Sequence, residues 1–278
     1  MVERRGRVED KVAIVTGAGS TPGPGVGTGK ASAVVLAREG AKVLCVDLAP
    51  DRAAETKAMI EGEGGVAEVF AADCTKDDEC AAMVQAAVDA FGTVDILVNN
   101  IGRAAVGTVV DVSEEDWDRS MDINVRTAFL ASKHVVPVMA AKGAGSIVNI
   151  CSISAVRGDG TVAYSAAKGA MLAMTIDMAY SHGRDGIRVN AIAPGHITTP
   201  MVHSVQAPGP QAEFMDTMRR EAGLLGTAGD GWDVGWAAGF LASDEARWIT
   251  GVLLPVDAGV LAVTPLLMAG HLRGVPGP

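Results

Sequence analysis

The chain reads as an α/β protein: a doubly wound, seven-stranded parallel sheet with helices on both faces. Apolar runs of strand length alternate with longer helical patterns, the signature of strands joined by crossover helices. Hydrophobic residues make up 49% and charged residues 20% of the chain, with 34 glycines, a profile suited to buried strands and tight strand-to-helix turns. A glycine-rich run, Gly17 to Gly29, directly follows the first apolar run. With 278 residues and no linker, repeat or composition break, residues 1–278 read as a single domain.

The predicted strands are Val12 to Thr16, Lys42 to Asp47, Val66 to Ala71, Asp95 to Asn99, Ser146 to Ile150, Arg188 to Ala193 and Val252 to Val256. Helical periodicity places helices at Lys30 to Glu39, Asp51 to Glu61, Asp77 to Phe91, Glu114 to Ala141, Val162 to Tyr180 and Trp232 to Leu241. Ser113 before Glu114-Glu115-Asp116 is the N-cap of the fourth, with acids in its first turn. Residues 200–225 leave the regular alternation, and a tail, 260–278, follows the last strand. In such a sheet the binding crevice lies beyond the carboxyl ends of the strands, so the residues that follow each strand carry the chemistry.

Bulk properties exclude several classes. A net charge of −10 argues against nucleic acid and anionic membranes as partners, since both need basic patches. Cys45, Cys74, Cys80 and Cys151 have neither metal-ligand spacing nor the density of a disulfide framework, so no metal is expected. The N-terminus shows no signal-peptide pattern, and no apolar run is long enough to span a bilayer. The expected compartment is the reducing cytoplasm.

The segment from Gly17 to Lys30 lies between a strand and a helix. Glycines there let the backbone approach a pyrophosphate, and the next helix offers free N–H groups and the positive end of its dipole. Asp47, at the end of the second strand, stands where a carboxylate binds a ribose 2′-hydroxyl. The same carboxylate repels a 2′-phosphate, and no basic residue follows immediately. The expected cofactor is NAD.

Further along, Tyr164-Ser-Ala-Ala-Lys168 puts a phenol and an ammonium at i and i+4, on one helix face, with Ser152 upstream. A nearby lysine charge is expected to pull the phenol below its ordinary pKa of about 10, giving a proton-transfer group usable near neutral pH.

Taken in order with Asn99-Asn100-Ile101-Gly102, Asn124 and Pro194-Gly195-His196-Ile197-Thr198-Thr199, these motifs resemble the short-chain dehydrogenase/reductase family, in its shorter single-domain branch, from about Lys11 to Gly259. The resemblance implies a Rossmann-like oxidoreductase in which Tyr164 is the general acid/base and Lys168 lowers its pKa and holds the nicotinamide ribose. Ser152 would bind the substrate oxygen, with Ser154 a competing choice. Asn124 would hold a water in a proton relay, or else bond the helix backbone. It further implies that Gly17, Gly27, Thr28 and Gly29 meet the phosphates and that Asp73 and Cys74 flank the adenine. Asn100 and Gly102 would lie near the adenosine ribose, and Pro194, Ile197 and Thr199 near the nicotinamide. Family members are commonly tetramers, so a homotetramer or dimer is expected.

Two departures stand out. Thr21 to Val26 reads as an insertion in the glycine turn, which makes Gly27-Thr28-Gly29 its closing part unless Gly23 or Gly25 takes a glycine position; the insertion is expected to arch over the cofactor and slow its release. Ser152 and Tyr164 also stand one residue closer than is usual. The substrate loop, about 200–225, carries Met201, Val202, Val205, Phe214, Met215 and Met218, which fit a neutral or partly apolar secondary alcohol or ketone. Two other functions stay open: a catalytically silent NAD-binding redox sensor, and an NAD-dependent epimerase or dehydratase, although the latter's usual C-terminal domain is missing.

Overall fold

The computed structural model describes residues 6–204 and 209–263. Val205 and the tail beyond residue 263 lie outside the described residues.

Each strand is short, apolar and buried, and each pairs in parallel with its neighbours. They are β1 (Val12–Thr16), β2 (Lys42–Asp47), β3 (Val66–Ala71), β4 (Ile96–Asn99), β5 (Gly145–Ile150), β6 (Ile187–Pro194) and β7 (Leu253–Val256). The order across the sheet is β3-β2-β1-β4-β5-β6-β7, the doubly wound Rossmann-like arrangement that was expected. Ala13 of β1 lies opposite Val43 of β2 on one side and Ile96 of β4 on the other. The chain direction across the sheet reverses between β1 and β4, so the crevice opens above Thr16 and Asn99.

Alternation along β1 shows how both faces are covered. Ala13 and Val15 point into one apolar cluster and Ile14 into the other, the period of two of a pleated strand. The first cluster is closed by Val34 and Leu36 of α1 (Thr28–Arg38) and by Val234 and Leu241 of α9 (Gly231–Ala242). These helices touch through small residues: a Cβ on Gly235 would stand 2.9 Å from the Ala31 backbone. The second cluster is closed by Met83 of α3 (Asp77–Phe91) and by Leu130, Val135 and Met139 of α5 (Thr127–Lys142). At roughly 25 cal/mol per Å² of apolar surface removed from water, side chains of this size stabilise the fold by about 2 kcal/mol each.

The structure corrects two sequence expectations. The helix expected over Glu114 to Ala141 is divided: α4 (Glu114–Met121) passes through a π-helical turn, Asp122–Arg126, into α5. Ser113 caps α4 as expected, its Oγ accepting from the Asp116 N–H at 3.1 Å. The widened turn follows from buried polar side chains that bond backbone: Asn124 Nδ2 donates to the Ser120 carbonyl at 3.0 Å and Thr127 Oγ1 to the Ile123 carbonyl at 2.7 Å. The irregular stretch after β6 contains helices α7 (Pro200–Ser204) and α8 (Pro210–Glu221), the latter with Pro at its start. No described helix is long and apolar enough to cross a membrane.

Candidate active site

Above the carboxyl ends of β1, β4, β5 and β6 lies a cavity of about 560 Å³. Every predicted site residue but one lines it: Gly17, Gly27, Thr28, Gly29, Asp47, Asp73, Cys74, Asn100, Gly102, Ser152, Tyr164, Lys168, Pro194, Ile197 and Thr199. The exception is Asn124, fully buried behind the wall.

One end of the cavity is built by the glycine turn. Gly17 leaves β1 with φ +64, a left-handed conformation natural to glycine. A Cβ on Gly29 would stand 1.9 Å from the Gly17 carbonyl oxygen, so only glycine lets α1 start this close to β1. Asn100 binds the two together, its Nδ2 donating to the Gly17 carbonyl at 3.0 Å and its Oδ1 accepting from Thr28 Oγ1 at 2.6 Å. The N-cap of α1 is Gly27, which offers no side chain to the first-turn N–H groups, and that turn carries no acid. Both features suit an anion. This supports Gly27-Thr28-Gly29 as the closing turn; Gly23 and Gly25 lie instead against Pro200, with nearest approaches of 3.6 and 3.8 Å for a built Cβ. The insertion therefore reaches the opposite rim.

Asp47 accepts from the Gly19 N–H at 2.9 Å with one oxygen and from the Ala49 N–H at 2.9 Å with the other. These bonds hold the carboxylate at the cavity edge. Arg52, five residues on in α2 (Pro50–Gly62), lines the same cavity, so this end holds a guanidinium as well as a carboxylate.

The other end is built on β5 and α6 (Val162–His182). Lys168 is fully buried; its Nζ donates to the Ile150 carbonyl at 2.8 Å and lies 5.7 Å from the centre of the Tyr164 ring. The i, i+4 spacing thus brings the two heads together. Burial works against the expected electrostatics. Burial pushes the Tyr164 phenol up to about 12 and the Lys168 ammonium down to about 8, because both leave water and the ammonium is directed at a carbonyl rather than at the phenol oxygen. A hydrogen bond from Ser152 pulls the phenol the other way, so the shorter Ser152 to Tyr164 spacing does not separate them.

Asn124 bonds the backbone of its own helix at Ser120 and that of the segment after β4 at Arg103. Its Oδ1 accepts from the Arg103 N–H and its Nδ2 donates to the Arg103 carbonyl, both at 3.0 Å. It clamps the segment after β4, where a Cβ on Gly102 would stand 3.0 Å from Asn124 Oδ1 and 3.2 Å from Lys168 Nζ.

Among the lining residues that sequence reasoning missed, three are charged: Arg52, Arg103 and Asp159. Arg52 and Arg103 belong to ordinary solvated positions in the sequence and carry no local signal. His196, which the sequence showed only inside the Pro194 to Thr199 motif, also lines the cavity, and burial lowers its pKa from the ordinary value.

Comparison with known proteins agrees with this geometry. A family model described as enoyl-(acyl carrier protein) reductase matches residues 24–261. The 2-(S)-hydroxypropyl-CoM dehydrogenase 3 of Xanthobacter autotrophicus is 36% identical over 92% of this chain and 99% of its own length. Among solved structures, a putative short-chain dehydrogenase/reductase from Burkholderia xenovorans is 40% identical with a TM-score of 0.90, covering 93% of this chain and 99% of its own. A 7 alpha-hydroxysteroid dehydrogenase complexed with NADH and 7-oxo glycochenodeoxycholic acid is 34% identical with a TM-score of 0.82, covering 91% and 95%. The chain belongs to the short-chain dehydrogenase/reductase family of oxidoreductases.

Proposed function

We propose that this protein, as a single domain, is an NAD(H)-dependent oxidoreductase that interconverts a secondary alcohol and its ketone, with Tyr164 as general acid/base. One observation carries the reading: Ser152, Tyr164 and a fully buried Lys168 share one cavity with an uncapped helix N-terminus and a backbone-held carboxylate.

The residues fit a dinucleotide. Gly27, Thr28 and Gly29 would hold the pyrophosphate, Asp47 the adenosine ribose, and Asp73 and Cys74 would border the adenine. Asn100 and Gly102 would border the adenosine ribose, with Pro194, Ile197 and Thr199 beside the nicotinamide. When bound, the cofactor supplies the hydride acceptor or donor. The bonds from Gly19 and Ala49 hold the Asp47 carboxylate at the cavity edge, and its charge disfavours a 2′-phosphate, which supports NAD over NADP. Arg52 at the same end makes the discrimination a balance between two side chains.

In alcohol oxidation Tyr164 takes the hydroxyl proton, and in ketone reduction it returns that proton to the carbonyl oxygen. Lys168 lies below the phenol with its charge near the ring, and Ser152 stands beside the phenol to meet the substrate oxygen. The neutral lining at Ala104, Met201 and Val202 supports an uncharged body for the substrate. A silent NAD-binding sensor would have no use for an ammonium buried at such cost. Exposed Trp117, Phe129, Ile176 and Tyr180 on the long helices support a homo-oligomer, a dimer or tetramer, which light scattering would size.

The test is a panel of secondary alcohols and ketones followed by NADH absorbance. Native protein should turn over members of the panel, and Tyr164→Phe should lose about 100- to 10,000-fold. Turnover that survives in Tyr164→Phe removes Tyr164 from its role, and native protein inert on a broad panel favours the sensor.

A further inference from the structure

Ser152 is not an isolated hydroxyl. Ser154 Oγ donates to Asp159 Oδ2, and a carboxylate can only accept, so the single Ser154 proton is committed to Asp159. Ser154 Oγ can then only accept from Ser152 Oγ, 3.0 Å away, so it competes with the Tyr164 phenol for the single Ser152 proton. The Ser154 N–H donates to Ser152 Oγ at 3.1 Å. Asp159 is itself fixed: Thr161 Oγ1 donates to its Oδ1, and Ser165 Oγ approaches the same oxygen at 3.4 Å. Asp159, Ser154, Ser152 and Tyr164 all line the one cavity.

We propose that Asp159, acting through Ser154, turns the Ser152 hydroxyl away from the phenol and keeps the proton on Tyr164, biasing the site toward proton donation to a carbonyl. Asp159 and Ser154 are positioning residues; neither needs to touch the substrate. The inference rests on the oxidoreductase reading for its functional meaning but not for its test.

The phenol is faced by Lys168 on its own helix, by Cys151 after β5 and by Asp159 before α6, while Arg103, His196 and Arg219 line the cavity from the segments after β4 and β6 and from α8. The Asp159 charge raises the phenol, in the same direction as withdrawal of the Ser152 proton. Removing Asp159 therefore reverses two effects together.

The chain has two tyrosines, Tyr164 and Tyr180, and Tyr180 is 87% exposed. In a Tyr180→Phe background, near-ultraviolet tyrosinate absorbance reports Tyr164 alone, without substrate or cofactor. Asp159→Asn should lower the Tyr164 midpoint by about half a pH unit or more. Ser154→Ala keeps the charge but frees the Ser152 proton, and should lower it too. Thr161→Ala loosens the same loop without touching the chain of hydroxyls and should leave the midpoint in place, as should Asp159→Glu. Circular dichroism at each pH confirms that the fold persists through the titration.

An unmoved midpoint in Ser154→Ala overturns the proposal, because Asp159 would then act as a bare charge. So does a shift in Thr161→Ala equal to that in Ser154→Ala, which would assign the effect to loop packing. A raised KM for Asp159→Asn with the midpoint unmoved would make Asp159 a substrate ligand, and also overturns it. The midpoint results are independent of whether the alcohol panel turns over.

Discussion

Replacing Lys168 by methionine should stabilise the protein at neutral pH while abolishing its activity. The ammonium is fully buried, and its pKa falls from the ordinary 10.5 to about 8, with burial the first cause. At about 1.36 kcal/mol per unit, that drop amounts to about 3 kcal/mol. Below pH 8 both the folded and unfolded states carry the proton, so folding bears the full cost. Between pH 8 and 10.5 the unfolded state holds more protons than the folded one, and stability rises with pH. Tyr164 opposes this only above pH 10, where the unfolded phenol ionises while the folded one, pushed up to about 12, does not. The rise is thus confined to pH 8 to 10.

Methionine matches the apolar stem in volume and removes the charge. It leaves the Ile150 carbonyl without the bond that Lys168 gives it at 2.8 Å, a loss of about 1 kcal/mol. The variant should therefore be about 2 kcal/mol more stable than native protein at pH 7, and the advantage should vanish by pH 10. Urea unfolding followed by tryptophan fluorescence at both pH values measures it. A variant that is less stable at pH 7, or a difference that does not change between pH 7 and 10, would refute the reasoning.

Gly29→Ala brings a Cβ to 1.9 Å from the Gly17 carbonyl and 2.4 Å from Asn100 Nδ2, and should cost about 3 kcal/mol in a urea melt together with measurable NAD affinity by calorimetry. Asn124→Ala strips the Arg103 N–H and carbonyl of their partners and should cost about 2 to 3 kcal/mol, with kcat falling more than KM in the alcohol assay. Asp47→Ala should raise the KM for NAD and, with Arg52 left at that end of the cavity, shift the ratio of kcat/KM toward NADP by about tenfold or more. Shortening the Thr21 to Val26 insertion should speed NADH release about tenfold in stopped flow, since it removes the segment that lies against Pro200.

The fold was legible because its strands are continuous apolar runs that need both faces covered; every residue of β1 is buried. Strand ends differ by a residue at most from the periodicity reading, as at β4, which starts at Ile96 rather than Asp95. The π-helical turn was not legible, since the apolar pattern from Glu114 onward runs through it and only the buried polar trio Ser120, Asn124 and Thr127 marks its place. The Tyr164 and Lys168 spacing showed that the heads converge, but not that burial would move their pKa values apart. Arg52 reaches the cavity only because α2 carries it beside Gly19, a contact set by the β1 and β2 pairing and invisible in one dimension. Asp159 lay in a segment read as a connecting loop, whose hydrogen-bond partners depend on how that loop closes over β5.

The precision of the site rests on a polar layer beneath it. Asn99 of β4 donates to Ser132 Oγ of α5 at 3.1 Å and to Asn149 Oδ1 of β5 at 2.9 Å, and Asn149 donates to Thr175 Oγ1 of α6 at 2.9 Å. One turn nearer the cavity, Lys168 Nζ holds the Ile150 carbonyl and Cys151 Sγ donates to the Lys168 carbonyl at 3.3 Å. Every bond in this series joins two different elements, so α5, β4, β5 and α6 cannot slide without breaking several at once. An apolar layer of the same volume would be cheaper in desolvation but would permit small rotations of α6, and a rotation there moves Tyr164 relative to Ser152. Buried polar residues beneath β4 and β5 therefore serve the alignment of the phenol more than the stability of the sheet.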